Sequence, residues 1–247
     1  MKTARDPLRA LAALSDGQLR HRAAARILVG LPAEEAAELV ERALRGLRRG
    51  ARSEVGAATA LVEAVLPEWG MTYEQRSELY TAARTLGLLA ATLFLSPPAH
   101  REAPEPRAGI EATLSLGHRK ALARTASAEA FAKLGAEKDA RVARELLVNP
   151  RLTEKEVLRL ASLRPAQPAV LLAIAQSARF STQLAVRTAL ARNPYSPTSL
   201  AFQLLPHLSE TLLREIGQDA TLHPQVRQFA DALVEAGRSD AAPSTAE

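Results

Sequence analysis

The sequence predicts an all-α protein in which a right-handed α-solenoid of short helical repeats follows an N-terminal helical block. Three observations predict it. Alanine, leucine, arginine and glutamate dominate the 247 residues, and these residue types favour helix. No segment alternates apolar and polar residues as a half-buried strand would. A helix-and-turn phrase recurs between residues 116 and 205, and a recurrence of this kind indicates stacked supersecondary units.

The predicted N-terminal block, residues 1–95, contains four or five helices. Asp16 is placed to cap one helix, and Pro32 fits the first turn of the next, where its missing N–H donor costs nothing. Thr72 and Gln75 have the spacing of a capping box, which predicts a further helix start. Besides a short segment over residues 1–15, the predicted helices span residues 17–31, 32–49, 54–66 and 72–95.

Residues 96–109 contain four prolines and little apolar surface, which predicts a semi-extended linker. A helical-repeat domain, 110–236, is predicted to follow, and the tail 237–247 is predicted to be disordered because it lacks large apolar residues. The predicted repeat helices span residues 116–124, 128–134, 139–148, 153–162, 167–176, 181–192, 198–205, 209–217 and 224–236.

The recurring phrase is an apolar helix with arginines that ends at a turn. Residues 119–124 and 187–192 are two copies, and 143–148 is a third. The last two end at Asn193-Pro194 and Asn149-Pro150, where proline disfavours the α conformation of the preceding residue and stops the helix.

Spacing and patterning extend the repeat prediction. Leu122, Leu146 and Leu190, the central leucines, are 24 and 44 residues apart, and the second gap fits two units of about 22 residues with a turn at Arg164-Pro165. Thr153 with Glu156 predicts a capping box. Ser127, Ser181, Ser196 and Ser209 are further candidate N-caps. In the helix 139–148 we expect an inward face of Val142, Ala143, Leu146 and Leu147, and Phe202 is predicted to lie in the core between repeats.

These residues resemble the α-solenoids of the HEAT-like and leucine-rich-repeat-variant families over roughly residues 112–236. The resemblance implies a stack of short helices, and it carries no catalytic residue onto this chain. The founding leucine-rich-repeat-variant protein also has a cysteine-ligated iron–sulfur cluster. Because this chain has no cysteine, we expect no such cluster here.

Neither an enzyme nor a metal protein is predicted. The five histidines are scattered, with no HxxxH or HExxH spacing, and no glycine-rich phosphate loop occurs. We therefore expect no catalytic residue, cofactor or metal. The longest apolar run, residues 86–95, is about half the length of a membrane span, and the N-terminus lacks the apolar core of a signal peptide. The sequence thus predicts a soluble cytoplasmic protein.

The remaining pattern is an uneven charge. Residues 118–192 carry 14 basic and 6 acidic side chains, whereas 193–247 carry 3 basic and 7 acidic ones. If the repeats stack, equivalent basic positions could form one stripe, which would attract an anionic partner. The candidate macromolecule-binding residues are Arg119, Lys120, Arg124, Arg141, Arg144, Arg151, Lys155, Arg159, Arg187 and Arg192.

Three interpretations of this basic set stay open. The favoured function is a non-enzymatic scaffold or adaptor that binds another macromolecule, and a protein with an acidic surface fits best. The alternative is nucleic-acid binding, since HEAT-like DNA glycosylases hold DNA on a basic concave face. Against it, only Phe180 and Tyr195 could stack on bases. The third interpretation is a solvated surface without a partner.

Overall fold

The computed structural model of the chain is all-helical in the part that it describes, and no β-strand occurs there, which confirms the predicted all-α class. It describes residues 6–49, 54–65, 70–97, 99–102, 114–127, 137 and 139–241. The α-helices are α1 Pro7–Ala12, α2 Gly17–Gly30, α3 Ala33–Arg48, α4 Val55–Glu63, α5 Tyr73–Thr85, α6 Leu116–Thr125, α7 Ala140–Leu147, α8 Glu154–Ser162, α9 Pro168–Gln176, α10 Leu184–Ala191, α11 Thr198–Leu204, α12 Glu210–Gln218 and α13 Pro224–Ala241. Within the described residues, 3₁₀ helices span Leu89–Phe94 and Leu205–His207. The predicted helix 128–134 and the linker residues 103–109 lie outside the described residues.

The chain divides into two compact units. We call the first the N-terminal unit, which combines residues 1–96 with 205–217 and 228–247, and the second the central unit, which combines 97–204 with 218–227. The predicted domain limits at 95, 109 and 236 stay a prediction. Helix α13 is longer than predicted, because it continues past Ala236 to Ala241.

The N-terminal unit has the predicted helix starts. The Asp16 side chain accepts from the N–H of Leu19, and Thr72 and Gln75 form the complete capping box. Helix α3 packs against α4, α5 and the first 3₁₀ helix, while α4 also contacts α1 and α2. Its core is built mainly from small and aliphatic residues, with Phe94 and Phe229 as buried aromatics, which suits a sequence with only 4% aromatics.

The predicted helix 72–95 is wrong in one respect, because it is broken at Gly87. Helix α5 ends at Thr85, and Gly87 then takes a φ of +66°. The N–H of Leu88 donates to the Ala83 carbonyl at 2.9 Å, and that of Gly87 to the Arg84 carbonyl at 3.1 Å. This is a Schellman motif, in which glycine adopts the left-handed conformation at little cost. The chain restarts as the 3₁₀ helix.

In the central unit, several helices contact the second described helix along the chain. Helix α7 contacts α6 and α9, α8 contacts α9 and α10, and α10 also contacts α9 and α11. All four predicted inward residues of α7 are buried, and so is Phe202. The repeat prediction gives Leu122 the same central position as Leu146 and Leu190, but the Leu122 residue is 49% exposed. In α6, Ala123 occupies the buried position instead.

The central unit repeats one turn at three places, after α7, after α10 and after α12. Its first residue is Asn149, Asn193 or Asp219. In each copy that side chain accepts from the backbone N–H two residues later, at 2.9, 3.0 and 3.0 Å. The first residue's carbonyl accepts from the N–H three residues later. The next helix begins five residues on, at Glu154, Thr198 or Pro224. We call these the Asn149, Asn193 and Asp219 turns.

The two asparagines also cap the C-terminal ends of other helices. Asn149 donates its side-chain N–H groups to the carbonyls of Ala123 and Ala126 at the end of α6, at 3.0 and 3.2 Å. Asn193 donates to Ala161 and Leu163 at the end of α8, at 2.8 and 3.0 Å. Both amides are buried, and they satisfy carbonyls that a helix end leaves without an intrahelical donor. Each turn thereby joins two elements that are distant in sequence.

The predicted N-caps of the repeat helices are partly right. Thr153 and Glu156 form the capping box of α8, and Ser209 accepts from the N–H of Leu212. Ser196 is not a cap, since its buried hydroxyl donates to the Leu190 carbonyl at 2.7 Å. Ser181 is not one either, because α10 begins only at Leu184, with Gln183 as its N-cap.

Candidate macromolecule-binding site

Part of the predicted basic set is neutralised within the central unit. Lys120 and Arg124 lie on one side of α6 and share Glu145 of α7, at 3.1 and 2.8 Å. Hydrogen bonds from Arg124 and Lys120 lower the pKa of Glu145 to about 2. The carboxylate therefore stays charged throughout the physiological range, and these two cations already have an anionic partner.

Two further arginines have carboxylate partners. Arg119 donates from Nη1 to both carboxylate oxygens of Glu137, at 2.6 and 2.8 Å. Arg141 forms a two-point contact with Asp139, at 3.1 and 2.8 Å, and its hydrogen bonds lower the pKa of Asp139 to about 2. The Arg119–Glu137 pair is partly buried, whereas Arg141 is largely exposed, and both pairs reduce the net charge that a partner would meet.

Arg187 and Arg192 differ from the paired cations, because the bonds at both residues involve backbone carbonyls. Arg187 donates from Nε to the Ser181 carbonyl at 2.6 Å. Arg192 is half-buried, and its carbonyl accepts from Arg164. The predicted equivalence of Arg187 with Arg119 is therefore not reflected in their contacts.

The other four predicted residues are exposed and have no carboxylate partner within the described part of the chain. Arg144 lies near the end of α7, and Arg151 lies in the Asn149 turn. Lys155 and Arg159 follow at i and i+4 on α8, hence on one helix face. The uncompensated positive charge of the set is thus concentrated at α7, the Asn149 turn and α8.

The structure adds two residues that the sequence analysis missed. Val148, just before Asn149, is 67% exposed, which makes it one of the most exposed large apolar side chains of the described residues. Arg179 donates from Nη1 to the Asn149 carbonyl at 3.3 Å, and its guanidinium lies 4.8 Å from the ring centroid of Phe180. We define the turn patch as Arg144, Val148, Arg151 and Arg179.

Only one of these two residues could have been found from sequence. The position before the turn asparagine holds Val148 in one copy and Arg192 in the other, and a position that accepts arginine in one copy is not reserved for the core. Arg179 follows Asn149 by 30 residues. No local pattern links the two, because only the packing of the helices brings them together.

Comparisons of the chain with protein-family models, with curated proteins and with solved structures found no match. The resemblance to HEAT-like and leucine-rich-repeat-variant proteins therefore stays a prediction. Within the described residues, no group of three or more histidine or acidic side chains is placed to hold a metal ion. None of the described helices combines the length and apolar character that crossing a bilayer requires.

Proposed function

We propose that the protein is a non-enzymatic helical-repeat adaptor whose turn patch binds an acidic protein partner. The observation that carries the proposal is the pairing of an exposed aliphatic side chain, Val148, with uncompensated cations on both sides of it in the chain, Arg144 and Arg151. Phosphate recognition needs the cations alone. An exposed valine among them suits a protein surface that offers carboxylates around an apolar contact.

The helical-repeat part of the proposal is supported by the helix contacts and by the Asx turns. Helices α8 and α10 each contact a first and a second neighbour, and α7 contacts α9 beyond α8, which is the contact pattern that a two-layer solenoid requires. The recurrence of one turn at Asn149, Asn193 and Asp219 supports a repeated unit behind it. A right-handed α-solenoid and a cytoplasmic location belong to this proposal as well.

Nucleic-acid binding is the second candidate, and Lys155 with Arg159 favours it. These two exposed cations extend the turn patch along one face of α8. Against a long phosphate track, four members of the predicted stripe are paired with carboxylates, so the open positive charge is short. A contact of this size would neutralise few phosphates and bind weakly at physiological salt.

Fluorescence anisotropy with three labelled probes tests the proposal. The probes are an acidic peptide that carries leucines between glutamates, a glutamate-only peptide of equal charge, and a DNA duplex. We expect the leucine-containing peptide to bind best, and Val148→Ser to weaken it about tenfold, because about 1.4 kcal/mol of lost apolar burial is a factor of ten. Arg151→Ala should weaken both peptides. Arg26→Ala, at an exposed arginine of α2, is the matched control and should change nothing.

Two outcomes contradict the adaptor proposal. Equal binding of both peptides, unaffected by Val148→Ser, would show that the valine plays no part. Dissociation constants above about 100 μM for both peptides would also contradict the proposal, because that value is the weak end even for nonspecific polyanion contacts. Tight duplex binding with a steep salt dependence, reduced by changes at Lys155 and Arg159, would instead support nucleic-acid binding.

A further inference from the structure

A cleft of about 500 Å³ opens beside α3 in the N-terminal unit. Its volume falls in the range of small-ligand sites. The apolar part of its lining includes Leu8, Ala43 and Ala58, all of which are buried. The polar part consists of guanidinium and carboxylate groups, most of them on α3. This cleft shares no residue with the turn patch and is not used by the proposed adaptor function.

Two of the guanidinium groups at the cleft, those of Arg42 and Arg45, are held in place by carboxylates. Glu41, whose side chain is only 7% exposed, accepts from the Ala90 N–H and from Nε of Arg45, both at 2.8 Å. Arg42 donates from Nη2 to Asp6 at 2.9 Å. A guanidinium has five N–H donors in a fixed plane. Tethering one edge therefore orients the rest, and such preorganisation reduces the entropic cost of binding.

Gly46 leaves open space in the wall of the cleft between the arginines. It follows Arg42 by four residues and precedes Arg49 by three, so the three share one face of the helix. A Cβ placed on Gly46 would meet no atom within 4 Å. Glycine inside a helix is less stable than alanine by about 0.5–1 kcal/mol. At this position it opens the helix backbone to the cleft.

The charges along this face of α3 are segregated by sign. Glu38 lies at its N-terminal end, whereas Arg42, Arg45 and Arg49 follow toward the C-terminus. Glu38 and Arg45 are separated by about 10 Å along the axis, at 1.5 Å per residue. An extended chain covers that distance in about three residues. Because carboxylates and guanidiniums are nearly balanced around the cleft, a polyanion is a poor match.

We infer that this cleft binds a short peptide of about three residues, with free termini and aliphatic side chains. Its ammonium group would face Glu38, its carboxylate would contact Arg42 and Arg45, and its side chains would cover Leu88, the half-buried leucine of the lining. Every group in this arrangement meets a partner of opposite charge or like polarity.

Isothermal titration calorimetry on the full chain tests the inference with Ala-Leu-Ala. The N-acetylated and C-amidated forms of the same peptide are the chemical controls. We expect saturable binding of the free peptide, and at least about tenfold weaker binding of each blocked form, because each loses one charge-assisted contact. Arg42→Gln should weaken the free peptide and leave the amidated one unchanged.

Gly46→Leu is the sharpest variant, because it fills the cleft while favouring the helix. We expect this variant to lose peptide binding while its Tm is unchanged or raised. The Tm, measured on the same sample, then excludes misfolding as the cause of the lost binding. Gly30→Leu, at another helix glycine with open space around it, should bind like the wild type. Absence of saturable binding up to 10 mM, wild-type binding by Gly46→Leu, or equal binding of the blocked peptides would each overturn the inference.

Discussion

The Asn149 and Asn193 turns have the same backbone and opposite surroundings. Each contains a buried asparagine that caps a distant helix, followed by proline. Pro150 is exposed in the first turn, whereas Pro194 is buried in the second and its carbonyl accepts from the Arg101 N–H at 3.2 Å. The buried asparagine, which both copies share, stabilises the fold by capping a distant helix. The outer residues differ between the copies, and they determine whether a turn is covered by the chain or exposed.

The cover of the Asn193 turn comes from two segments. The chain at Pro97 accepts a hydrogen bond from the Thr198 hydroxyl. Asp219, in the third turn, carries a negative charge near Arg164 and Arg192. At the Asn149 turn the corresponding outer positions are Val148 and Arg151, which are exposed. The open copy is therefore the better candidate for an interaction surface, and the predictions below test that contrast.

The largest effect is expected from Asn149→Ala and Asn193→Ala. Each removes two donors and leaves two helix-end carbonyls without them, which should cost about 3 kcal/mol in the free energy of unfolding. Urea unfolding measures it. The matched control is Asp219→Asn, at the turn whose side chain acts only as an acceptor, and it should cost far less. Equal losses at all three positions would contradict the helix-capping role.

The next effect separates the covered turn from the open one. Thr198→Val removes a buried hydroxyl and leaves the Pro97 carbonyl without its donor, which should cost about 1.5 kcal/mol. Glu154 is the equivalent, exposed position after the Asn149 turn. Glu154→Val should cost about 0.5 kcal/mol in the free energy of unfolding, through helix propensity alone. Thermal unfolding of the two variants gives the comparison. A larger loss at Glu154 would mean that the open turn is covered in solution.

These two predictions show where sequence reasoning ended. The capping boxes, the inward face of α7 and the asparagine turns follow from rules that act within about five residues. The amide of Asn149 bonds a carbonyl 26 residues earlier, and Arg179 reaches back 30 residues. No local rule supplies such contacts, because they depend on which helices pack together. The basic residues were visible in the sequence, but which of them are neutralised was not.

A smaller, pH-dependent effect is expected at Asp219. Burial raises the pKa of this carboxyl, but hydrogen bonds from Thr221 and the charges of Arg164 and Arg192 lower it below its ordinary value of 3.8 overall. Its stabilising contribution is therefore present above that pH and is lost as the pH falls through the lowered pKa. Asp219→Asn should cost under about 1 kcal/mol at pH 6, since solvent screens such partly exposed charges.

Unfolding measured at pH 6, 4 and 3 checks this contribution. The difference between wild type and Asp219→Asn should shrink toward the lowest pH, and added salt should reduce it at pH 6. A difference that grows on acidification would mean that the carboxyl is stabilised in its protonated form.

The smallest expected effect on stability is the most informative about function. Val148 is two-thirds exposed, so Val148→Ser should change the free energy of unfolding by no more than about 0.5 kcal/mol. The same variant is expected to lose acidic-peptide binding about tenfold. A residue retained only for packing would show the reverse, a stability loss without a binding loss. Denaturation and anisotropy measured on one preparation decide between a binding role and a packing role for Val148. The binding role requires that the substitution changes peptide affinity and leaves the free energy of unfolding nearly unchanged.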